Sequence, residues 1–132
     1  MTKSIIFSLT LFVSLSVFSQ SSKLLDLNKE YKDLPLSKTE RQLFKLTLNK
    51  DGVYQFSILQ QGVAAHIVLN DANKRQVFES DIPDDIDGYE KFEYIPQANG
   101  IFYLAIERFD NEQNTESGKA TVFVKKIGRA HV

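Results

Sequence analysis

Asp81, Asp84, Asp85 and Asp87 crowd four carboxylates onto one short stretch of chain. A hard cation such as Ca²⁺ takes six to eight oxygens, and such a loop could wrap one, with Ser80 and Glu90 adding oxygens from its flanks. The spacing lacks the central glycine and closing glutamate of an EF-hand. A solvated acidic connection between two strands is the competing reading. His66 is the next group with chemical potential. It stands between Ala65 and Ile67 in an alternating stretch, so it points away from the apolar side of its strand. A histidine base needs a nucleophile and an orienting acid within reach. No G-x-S-x-G or S-x-x-K motif supplies the serine. There is no cysteine, and His131 falls in a terminal stretch expected below to be an artefact, so one histidine is left and a zinc site lacks ligands.

Glycoside hydrolysis needs only two acids, and Glu90 with Glu93 or Glu107 is the candidate pair. Tyr89, Phe92, Tyr94, Phe102 and Tyr103 could line a sugar-binding face. Alternation turns Phe92, Tyr94 and Phe102 inward, which leaves Tyr89 and Tyr103 as the residues for ligand contact. These groups sit in segments whose period is two. Phe44, Leu46 and Leu48 alternate with Lys45 and Thr47, and Tyr54, Phe56 and Ile58 alternate with Gln55 and Ser57. Further strands are expected at 63–70, 75–80, 91–95, 101–109 and 119–126. Between them lie turns at Asn49–Gly52, where Gly52 is expected to take positive φ, at Gln61–Gly62, at Asn70–Lys74 and at Pro96–Gly100. Residues 20–36 show no long period and contain Pro35, so they read as a leader with one short strand at most. About seven to eight strands and no helical period predict an all-β fold, a single β-sandwich with Greek-key or jelly-roll connections over 37–126. A closed barrel is the alternative.

The address is written at the start. Lys3 precedes an uncharged apolar run, Ile5 to Phe18, ending at Ser19, which is the layout of a secretory signal peptide over 1–19 and implies a secreted or periplasmic protein. The run is short for a bilayer span, so no membrane attachment is expected after cleavage. Without cysteine the exported domain must rely on its core, for which 10 Phe and 5 Tyr are ample. Removing Lys3 leaves 15 basic against 17 acidic residues, a balance that does not point to nucleic acid. Ile127 to Val132, back-translated as ATC GGA AGA GCA CAC GTC, matches the start of a sequencing adapter. Residues 127–132 are therefore expected to be an artefact, and the natural chain to continue past Lys126.

Several short motifs fall in a familiar order. They are Gly52-Val53-Tyr54-Gln55-Phe56, then Gln60-Gln61-Gly62-Val63, then Asp87-Gly88-Tyr89-Glu90, then Gly100-Ile101-Phe102-Tyr103-Leu104, with Gly118 before the last strand. Over about Leu36 to Lys126 the chain resembles the pre-peptidase C-terminal-like β-sandwich modules of secreted bacterial hydrolases. It departs from that pattern at Ala64-Ala65, where an aspartate is common, and at Phe102. The resemblance implies a non-catalytic accessory module, without a cofactor unless Ca²⁺ is held. Its partner would be a catalytic domain of the same natural chain, a serine hydrolase or a peptidase, and its role folding, spacing or surface docking. A carbohydrate-binding module that takes a polysaccharide is the alternative function, and a secreted inhibitor or adhesin acting on a protein surface a third.

Overall fold

A computed structural model describes residues 21–81, 86–109 and 117–130. Nine strands form two sheets packed face to face. They are β1 (Lys23–Leu24), β2 (Tyr31–Ser37), β3 (Gln42–Leu48), β4 (Gly52–Gln61), β5 (Ala65–Asn70), β6 (Gln76–Asp81), β7 (Asp87–Tyr94), β8 (Gly100–Arg108) and β9 (Ser117–Arg129). The five-stranded sheet runs β1-β3-β8-β5-β6 and the four-stranded sheet β2-β9-β4-β7. All pairings are antiparallel except β1 with β3. The expected all-β sandwich is thus the fold.

Strict alternation in the sequence becomes strict alternation of burial. Phe44, Leu46 and Leu48 of β3, Tyr54, Phe56 and Ile58 of β4, Ile67 and Leu69 of β5, Leu104 and Ile106 of β8, and Val122 and Val124 of β9 all lie in the core. Each inward residue removes its side chain from water at about 25 cal/mol per Å² of apolar surface, and the outward residues between them keep both outer faces polar.

The chain before Leu36 differs from the expected leader. It contributes two strands, and β2 forms an edge of the four-stranded sheet against β9. Its pattern was obscured because the register shifts between Tyr31 and Leu34, where Asp33 takes φ 55°. A bulge of that kind breaks the period of two. Pro35 is tolerated because β2 is an edge strand, and its carbonyl accepts a hydrogen bond from Gln42 Nε2 at 2.8 Å.

The turn before β4 also differs from expectation. Asp51, not Gly52, takes the positive φ, at 66°. Glycine is required at 52 for space. A Cβ there would lie 2.8 Å from Tyr54 Cε2, on a ring that is 1% exposed. The Tyr54 hydroxyl in turn accepts the Asn49 N–H at 2.9 Å, tying the turn to the core. Gly62 does take the left-handed conformation, with φ 82°.

Candidate functional site

The two sheet edges β6 and β7 meet along one side of the sandwich. The Phe78 ring stacks on Phe92 with centroids 3.7 Å apart, and Phe92 stacks on Phe56 at 4.7 Å, so three rings run from one sheet into the other. Beside them Ser80 Oγ donates to Glu90 Oε1 at 2.8 Å. Ser80 and Glu90, the two flanks of the acidic loop, are thus engaged with each other. Asp87 Oδ1 accepts the Gly62 N–H at 3.0 Å and helps hold the turn between β4 and β5. Asp84, Asp85 and the side chain of Asp81 lie outside the described residues. Among the described residues, no group of three or more His, Asp or Glu side chains is placed to hold a metal.

His66 lies on the outer face of the five-stranded sheet, as its alternation with Ala65 and Ile67 requires. Its Nε2 is 2.6 Å from Glu79 Oε2 and its Nδ1 is 3.2 Å from Glu107 Oε1. Both ring nitrogens face carboxylates, so the doubly protonated imidazolium can donate to both, whereas the neutral ring can donate to only one. Burial works against the charged ring. The hydrogen bonds and charges of Glu79 and Glu107 outweigh it and hold the imidazole pKa above its ordinary value. The His66 bond holds the Glu79 carboxyl below its ordinary value, against desolvation, with Gln76 assisting. Arg41 Nη1 stands 3.6 Å from Glu107 Oε2 and extends the row of alternating charge. A ring held at both nitrogens by carboxylates is an ion-paired cation and not a base with a nucleophile beside it.

Glu79 and Arg41 were not singled out in the sequence. The signal for Glu79 was the hairpin register. With the turn at Asn70–Lys74, Val68 falls opposite Glu79 and His66 opposite Asp81, which puts Glu79 on a diagonal from His66. The carboxylate pairs considered for glycoside hydrolysis are dispersed. Glu90 lies on the inward side of β7 with Ser80, Glu93 lies on its outward side, and Glu107 is on the outer face of the other sheet.

Tyr89 and Tyr103 are separated by the whole sandwich. Tyr89 is on β7 and faces out from the four-stranded sheet, 62% exposed. Tyr103, half-buried on β8, faces out from the five-stranded sheet opposite Lys45 and Asn70. They cannot form one aromatic platform, because the chain crosses between sheets from β7 to β8. The rings expected to point inward do so. Phe102 is buried, and Phe92 and Tyr94 pack against the core.

No family model matches this sequence, and no curated protein does. Solved structures do match. One is the crystal structure of the pre-peptidase C-terminal domain of a collagenase from Bacillus anthracis, with a TM-score of 0.60 and 16% identity. The match covers 81% of this chain and 97% of that domain. At that identity the likeness is one of fold. The chain has the pre-peptidase C-terminal-like β-sandwich fold that the order of its turn motifs implied.

Proposed function

We propose that this chain is a non-catalytic accessory module of a secreted or periplasmic hydrolase, standing ahead of a serine hydrolase or peptidase domain and serving in folding, spacing or surface docking. The observation that carries the reading is the near-complete match to a domain attached to a peptidase. The dispersal of the candidate catalytic groups supports it. His66 is clamped between two carboxylates, Glu90 is bonded to Ser80, and Glu93 and Glu107 face away on different sides. The apolar run from Ile5 to Phe18 supports export.

The test is an activity panel on the purified protein from Gln20 onward. It should turn over no ester, peptide, β-lactam or aryl glycoside. Turnover of an aryl glycoside that is abolished by Glu90→Gln would overturn the reading.

A further inference from the structure

Tyr89 is the one aromatic residue among the exposed large apolar side chains of the described residues. A largely exposed ring on a sheet's outer face, contributing nothing to the core, calls for a reason. Its surroundings supply one. In the four-stranded sheet β4 lies between β7 and β9. Leu59 is paired with both Tyr89 and Thr121, and Ser57 with both Lys91 and Phe123. Tyr89 and Phe123 therefore stand on the same outer face, about 10 Å apart across the strands and about 7 Å apart along them. They share a shallow depression of about 430 Å³, which Gln55, Ser57 and Asn28 furnish with amide and hydroxyl groups and Glu30 with one carboxylate.

Charge on this face is unevenly compensated. Lys32 is paired with Glu30 at 3.4 Å and Lys119 with Asp33 at 3.5 Å. Lys91 and Lys125, which border the depression, have no carboxylate partner among the described residues. The ammonium of Lys91 rests 5.0 Å from the centre of the Tyr89 ring, a weak hold for a cation at an exposed site.

We propose that this depression binds an acidic oligosaccharide. The apolar faces of sugar rings stack on Tyr89 and Phe123. Gln55, Ser57 and Asn28 exchange hydrogen bonds with the hydroxyls, and Lys91 and Lys125 pair with carboxylate or sulfate groups. A neutral glycan would leave both ammonium groups without an anion, and the flat, polar, open face suits a flexible chain of sugars better than an apolar protein surface. The site stands whatever catalytic domain follows the module, so loss of one reading leaves the other intact.

Calorimetric titration of the purified protein tests this with three probes: a galacturonate hexamer, a sulfated heparin hexasaccharide and the neutral glucose hexamer cellohexaose. At least one acidic probe should bind, and cellohexaose should bind at least about tenfold more weakly. Which acidic probe binds separates carboxylate from sulfate recognition. Tyr89→Ala should weaken binding about tenfold without moving the thermal midpoint, since its ring lies outside the core. Lys91→Ala with Lys125→Ala should remove most of the salt dependence. Binding by neither acidic probe, equal binding of cellohexaose, or acidic binding unchanged in Tyr89→Ala would each overturn the proposal.

Discussion

Gly52 and Tyr54, the first two fixed positions of the G-x-Y-x-F motif, should be energetically coupled. In Gly52→Ala the new methyl would lie 2.8 Å from Tyr54 Cε2 and 3.0 Å from its Cζ and hydroxyl oxygen. The ring cannot step aside, because it is 1% exposed and its hydroxyl is held by the Asn49 N–H. Overpacking of this kind costs about 1–3 kcal/mol. Alanine in a strand also gains about 0.5–1 kcal/mol over glycine through the unfolded chain, so the net loss should be about 0.5–2 kcal/mol. Tyr54→Phe, which removes only the hydroxyl, should cost about 1 kcal/mol. Tyr54→Leu should cost about 2–4 kcal/mol through the cavity it leaves. With leucine at 54 the space opposite residue 52 opens, and Gly52→Ala should become neutral or slightly stabilising. The cycle of Gly52→Ala and Tyr54→Leu should therefore show a coupling of about 1–2 kcal/mol by urea unfolding. Additivity within about 0.5 kcal/mol would refute the steric account of the motif.

His66→Gln should remove a pH dependence of stability. The raised pKa of His66 means that its contribution is fully present below about pH 6.5 and is lost as pH rises through the folded value. As pH rises from about 6.5 through the raised folded value the wild type should lose stability relative to the variant, and parallel curves would contradict the ion-pair assignment. Gly118→Ala should destabilise by at least about 1–3 kcal/mol, because its Cβ would lie 2.5 Å from the Gln61 carbonyl oxygen and 2.7 Å from Val63 Cγ1. An unchanged unfolding midpoint would show that the close approach of β9 to the β4–β5 turn is wrongly placed. If Asp81, Asp84, Asp85 and Asp87 hold Ca²⁺, chelation should lower the melting temperature by mass action, and a melting curve indifferent to chelator ends that idea.

Strong alternation made the inner strands legible. The central positions of β3, β4, β5, β8 and β9 alternate apolar with polar or half-buried residues, and the core follows that pattern directly. What escaped depends on partners distant in the chain. β2 is held by β9, its neighbour in the same sheet but far along the chain, and only Leu36 of its residues is fully buried, so its seven residues carry too little pattern to read. Gly52 was legible as a required glycine but not for its reason, which lies in the ring two residues on. The outward direction of His66 could be counted from its neighbours. Its clamp could not, because Glu107 reaches it through the β5–β8 pairing of strands that are not consecutive. Tyr89 and Tyr103 were each correctly directed outward. Their separation onto opposite faces follows from the sheet to which each strand belongs, and alternation along a strand carries no information about that.

The central proposal, an accessory sandwich attached to a hydrolase, is tested most directly by sequencing the natural gene that encodes this sandwich. The account predicts one reading frame that joins the sandwich to a hydrolase domain carrying its own nucleophile and base or metal ligands. A reading frame that encodes no such domain would contradict it.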